Sequence, residues 1–103
     1  MRLGSIAHGR AGDKGRRVNL SVIAFDRADY PRLAAEVTAE RVRAHLADLI
    51  AGAVVRYELP QLGALNFVCE RPAGGGVTET LALDAHGKSL SSALLNLELP
   101  EFS

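Results

Sequence analysis

The chain has 103 residues, 48% apolar and 23% charged, and its twelve basic and twelve acidic side chains cancel. This describes one soluble globular domain, residues 1–103, that buries roughly two-thirds of its unfolded surface. Zero net charge excludes a global field toward nucleic acid or an anionic membrane. The single Cys69 excludes an internal disulfide and an iron–sulfur cluster held by four cysteines of one chain. The opening M-R-L-G-S-I-A-H lacks the apolar stretch of a signal peptide. The longest uncharged run, Leu59 to Cys69, contains Pro60, Gln61, Gly63 and Asn66 and is unsuited to a bilayer. A cytoplasmic location is expected.

Leu3 to His8 reads as a first strand and Val18 to Phe25 as a second, rich in β-branched and aromatic residues. Val18, Leu20, Val22 and Ala24 form an apolar face of the second strand. Its other face, Asn19, Ser21, Ile23 and Phe25, is mixed. Pro31 to Val37 is a short helix, with proline in the first turn where its missing N–H costs nothing. Thr38 is an N-cap for a second helix carrying Val42, Leu46, Leu49 and Ile50 on one face, ended by Gly52.

Ala53 to Leu59 alternates, with Val55, Tyr57 and Leu59 on one side and Arg56 and Glu58 on the other. Leu65 to Glu70 is the next strand, with Leu65, Phe67 and Cys69 on one face. The A-G-G-G loop at Ala73 to Gly76 leads to a strand from Val77 to Asp84 and a turn at Asp84 to Gly87. A last helix runs from about Ser89 to Leu97, stopped by Pro100, with Leu90, Ala93, Leu94 and Leu97 on one face. Leu95 and Leu99 fall off that face, so this segment is either deeply buried or docked on another chain, and self-association or partner contact through it is expected. Strands and helices are segregated. The expected fold is α+β, a two-layer sandwich of a mostly antiparallel sheet with helices on one face.

The chemistry concentrates in A-H-G-R-A-G-D-K-G-R-R-V-N, Ala7 to Asn19, read as a glycine loop between two strands. His8 is either an acid/base group or a side chain satisfying backbone at a strand end. Arg10 and Lys14 are either an anion clamp completed by the N–H groups of Gly12 and Gly15, or a solvated basic turn. Asp13 either orients His8 or Lys14 or caps the turn. Asn66 either reaches a ligand at the first loop or lies on the open face of the sheet. Cys69 reads as a small core residue. Gly74 to Gly76 is either a close-approach site or an ordinary hairpin loop. The P-loop pattern is absent. Gly9-Arg10-Ala11-Gly12 matches the G-x-x-G of KH domains, but there it joins two helices, so RNA binding is not expected. Three scattered histidines make no metal signature, and no cofactor is expected.

The H-G-R-A-G-D-K-G segment resembles the small ferredoxin-fold domain of the acyclic terpene utilisation family, AtuA. T-A-E-R-V-R-A-H-L at Thr38 to Leu46, R-Y-E-L-P at Arg56 to Pro60, A-L-N-F-V at Ala64 to Val68 and L-D-A-H-G-K-S-L at Leu83 to Leu90 resemble it too, in order along almost the whole chain. The resemblance implies a ferredoxin-like backbone without a cluster. It implies a small subunit or detached domain of an AtuA-type assembly that breaks down acyclic terpenoids and branched acids, largely as CoA thioesters. The implied partners are a large AtuA-type subunit or further copies of this chain, with a small anionic ligand and neither nucleic acid nor membrane. The alternative is a self-sufficient small enzyme or binding module for a carboxylate or acyl-CoA. By position the resemblance singles out His8 and Asp13 as catalytic candidates. Arg10, Gly12, Lys14, Gly15, Asn19 and Asn66 are the ligand-binding candidates. The family loop usually carries serine where this chain has Ala11, and small or acidic residues near Arg16 and Arg17. A hydroxyl contact is therefore missing here, and the local charge is more positive.

Overall fold

The structure is a computed structural model that describes residues 1–70 and 89–100. Four strands, β1 (Ala7–Lys14), β2 (Arg17–Ala24), β3 (Ala51–Leu59) and β4 (Ala64–Glu70), form a sheet of order β1-β2-β4-β3. Every pairing is antiparallel. Helices α1 (Tyr30–Glu36) and α2 (Ala39–His45) connect β2 to β3, and α3 (Ser89–Leu95) follows later. The α+β sandwich expected from the sequence is what forms. The expected strand and turn between positions 77 and 87, and the glycine run at 74–76, lie outside the described residues.

Strand β1 begins later and runs further than the composition suggests. Leu3–Ser5 is a short 3-10 turn, and the segment read as a loop is extended backbone through Lys14. Strand β2 is the cause. Its alternation buries Val18, Leu20, Val22 and Ala24, and its other edge pairs Ala7 with Ala24 through Lys14 with Arg17. A strong neighbouring strand overrides the weak strand preference of a glycine-rich sequence. Only Gly15 and Arg16 are left to turn the chain. Gly15 has φ +66°, the left-handed value required at the first central position of a type II′ hairpin.

The expected apolar faces of β2 and β4 are the core faces. Leu20, Val22, Leu65 and Phe67 are fully buried, each contributing about 1.5–3 kcal/mol of transfer free energy. Thr38 caps α2 as expected, its Oγ1 accepting the Arg41 N–H at 3.1 Å. The helix is shorter than its periodicity implies. It ends at His45, and Leu46 and Ile50 are buried from the following turn. Gly52 does not end the helix. It lies in β3 with φ +72°, inside an irregularity between Ala51 and Val55 that resets the pairing with β4.

All three helices lie on one face of the sheet. On β3, Arg56 reaches across that face to donate to Ala34 O and Val37 O at the end of α1. On β1, a Cβ placed on Gly9 would meet Ser91 and Leu95 of α3 within 3.6 Å. His45 Nε2 donates to Ala93 O at 2.6 Å and ties α2 to α3. The C-terminal leucines pack within the chain. Leu95 packs against the core beside Gly4 and Gly9, and Leu99 is buried with its N–H bonded to Met1 O at 2.7 Å. The N-terminal segment packs against both, burying Leu99 and leaving Leu95 half-buried.

Candidate functional site

The register sorts the site candidates onto a grid. Positions His8, Arg10, Gly12 and Lys14 of β1 stand opposite Ile23, Ser21, Asn19 and Arg17 of β2. These continue to Ala64, Asn66, Val68 and Glu70 of β4, and Leu59, Tyr57 and Val55 stand beyond on β3. This parity is opposite to that of the buried Val18, Leu20 and Val22, so the grid is the face of the sheet turned away from the described helices.

A shallow cavity of about 330 Å³ lies on this face. Arg10, Gly12 and Asn19 line one part of it, Ser21 and Ala64 its middle, and Ile23, Leu59 and Leu62 the rest. Among its described lining residues Arg10 carries the one charged side chain. The Arg10 guanidinium is exposed and makes no hydrogen bond or ion pair with a described residue. Gly12 leaves open space where a side chain would stand. Half-buried Asn66 donates from Nδ2 to Ser21 Oγ at 3.0 Å, which fixes the middle of the floor. Leu62 is placed by the 3-10 turn Pro60–Leu62 between β3 and β4. That turn is held from outside by Arg27, which donates to Gln61 O.

The structure therefore brings Arg10, Gly12 and Asn19 onto one cavity, with Asn66 joined to it through Ser21. It does not bring together everything that a loop would. His8 stands one row away and stacks on Phe25, ring centroids 5.4 Å apart and planes 23° apart. Asp13 is five residues further along extended β1, about 16 Å of strand, and at a position of opposite parity. Arg10 and Lys14 share parity, but their backbones are separated by about 13 Å of strand rather than folded together by glycines. Gly15 is the hairpin residue.

The sequence reasoning missed Ser21, Ile23, Leu59, Leu62 and Ala64. A signal for them was present in the mixed composition of the second face of β2, which is the open face. The apolar side of β3 also belongs here. Tyr57 is 53% exposed and Leu62 63%, and Phe25 at the far row is 64% exposed. So much exposed apolar area on one sheet face marks a contact surface.

Among the described residues no group of three or more histidine, cysteine or acidic side chains is placed to hold a metal. No described helix is long and apolar enough to cross a membrane. Cys69 is buried on the opposite face under the helices, and burial pushes its thiol up to about 11. A thiol held neutral so far above neutral pH is a poor nucleophile.

No curated protein and no solved structure matches the chain. The family model of the AtuA ferredoxin-like domain matches residues 1–100, and the chain belongs to that family.

Proposed function

We propose that this domain is the small component of an AtuA-type assembly, a small subunit or detached domain working in the cytoplasm beside a larger AtuA-type chain. The assembly acts in the breakdown of acyclic terpenoid and branched-chain acids handled as acyl-CoA. The observation that supports this reading is the sheet face that carries none of the described helices, where the exposed Arg10 and a patterned polar floor adjoin exposed apolar side chains. Such a face suits a domain completed by a second surface, and the anion-binding residues on it are Arg10, Gly12, Asn19 and Asn66, with Lys14 and Gly15 at the hairpin end. Arg10 supplies the charge-assisted contact to a carboxylate or phosphate.

A second reading is favoured by the cavity being walled by this chain's own residues. In that reading the protein is a self-sufficient binding module or small enzyme, with His8 exchanging a proton at the rim. Co-expression with a large AtuA-type chain separates the two. The first reading expects one species on size-exclusion at micromolar concentrations, and titration of that species with an acyl-CoA ester should show binding. Arg10→Ala and Lys14→Ala are expected to weaken anion binding about tenfold to a hundredfold, the loss of one charge-assisted contact of about 1.5–3 kcal/mol. Absence of any complex defeats the first reading. Turnover by the isolated chain that survives His8→Ala unchanged defeats the catalytic form of the second.

A further inference from the structure

The cavity has two chemically different ends. Arg10 stands at one end and the side chains of Leu59 and Leu62 at the other. Gly12 leaves open space beside Arg10, and the middle of the floor is built from the small residues Ser21 and Ala64, so it is a groove rather than a flat sheet. Arg10 and Ser21 share one row of this face of the sheet and Ala64 and Leu59 the next, so the line from Arg10 on β1 through Ser21 on β2 and Ala64 on β4 to Leu59 on β3 runs diagonally, stepping over one row. That crosses three strand spacings, about 14 Å.

We propose that this groove binds a free monocarboxylate with an apolar tail of medium length, and that Leu62 sets the tail length accepted. The carboxylate sits on Arg10 and Asn19, and the tail crosses the sheet toward Leu59 and Leu62. This rests on the anion-binding reading of the same face and narrows it to the acid rather than the whole thioester. Two features carry the narrowing. The one charged side chain among the groove's described lining residues, Arg10, stands away from Leu59 and Leu62, which matches a molecule with its charge at one end and an apolar tail at the other. A volume of about 330 Å³ is at the lower end of small-molecule sites, a size that suits a small acid.

The test is calorimetric titration of the isolated protein with hexanoate, octanoate, dodecanoate, octan-1-ol and octanoyl-CoA. Burying a methylene tightens binding roughly fourfold, so octanoate should bind on the order of fifteenfold more tightly than hexanoate. Dodecanoate should gain little beyond octanoate, because Leu62 closes the groove. Octan-1-ol should bind at least tenfold more weakly than octanoate. Arg10→Gln should weaken octanoate tenfold or more and leave octan-1-ol unchanged. Leu62→Ala should let dodecanoate bind more tightly than octanoate. Both variants alter exposed side chains, and a thermal melt confirms that they fold.

Octan-1-ol equalling octanoate, octanoyl-CoA exceeding it, or no octanoate binding at millimolar concentration overturns the proposal. An unchanged chain-length series in Leu62→Ala overturns the role given to that residue. Loss of acid binding with an intact complex of the large chain rejects the groove alone. Acid binding without any complex rejects the assembly reading alone.

Discussion

Replacing Arg56 by methionine should cost this domain a large part of its stability while leaving anion binding on the opposite face intact. Arg56 occupies the helix side of β3, with its side chain only 20% exposed. Its Nη1 donates to Ala34 O at 2.6 Å and to Val37 O at 3.1 Å, and its Nη2 to Glu58 Oε2 at 2.9 Å. The two carbonyls belong to the last turn of α1, where helix carbonyls lack intrahelical donors and a cation also meets the negative end of the helix dipole. Hydrogen bonds from a charged donor contribute about 1.5–3 kcal/mol each. The site is partly open to water, so the pair is discounted to about 2–4 kcal/mol together. The Glu58 contact is exposed and adds at most about 1 kcal/mol. Methionine keeps the apolar stem, so the loss isolates the donors. Urea denaturation followed by circular dichroism should show this loss, with a fall in Tm of roughly 10–20 °C for a domain of this size. Arg56→Lys should recover only part of it, because an ammonium does not reproduce the planar fork. Glu58→Gln should cost less than about 1 kcal/mol. A loss below about 1 kcal/mol for Arg56→Met, or an equal loss for Glu58→Gln, would refute the assignment of α1 docking to this guanidinium.

Tyr30→Phe should be neutral or stabilise by up to about 1 kcal/mol, since the Tyr30 hydroxyl is buried without a hydrogen-bond partner; a clear loss in urea melts would show that the hydroxyl is satisfied in solution. Cys69 adds an alkaline limit. Burial raises its thiol from 9.0 to about 11, so between these values the unfolded chain gives up a proton that the folded chain keeps, and stability falls as pH rises. The contribution, about 2–3 kcal/mol, is complete below pH 9 and lost through pH 11. Cys69→Ala should therefore lose less stability than the parent chain between pH 8 and 10.5, and parallel losses would count against it. Gly15→Ala should cost about 1 kcal/mol through its positive φ alone, because nothing stands within 4 Å of the added methyl. A cost above about 3 kcal/mol there would mean that the hairpin residue makes a contact beyond its backbone angle.

Local rules determined a good deal of this protein by themselves. The period-two faces of β2 and β4 are legible because side chains on an extended chain alternate, and Val18, Leu20, Val22, Leu65 and Phe67 name the core without any tertiary information. Thr38 as a cap and Pro31 in the first turn of α1 are legible because capping is a contact within a few residues. That chemistry gathers near Ala7 to Asn19 was also legible, since charged and glycine residues cluster there. Tertiary structure decided the rest. The glycine-rich segment is a strand because β2 offers it an edge, which no local propensity encodes, and with the extended backbone Asp13 moves away from His8. The end of α2 and the place of Gly52 depend on where β3 must join β4. Leu95 and Leu99 are covered by the N-terminal segment, a contact across nearly the whole chain. The cavity itself draws on β1, β2, β4 and the turn after β3. Arg10 and Leu62 meet across it only because antiparallel register fixes which side chains of four separated segments share a face.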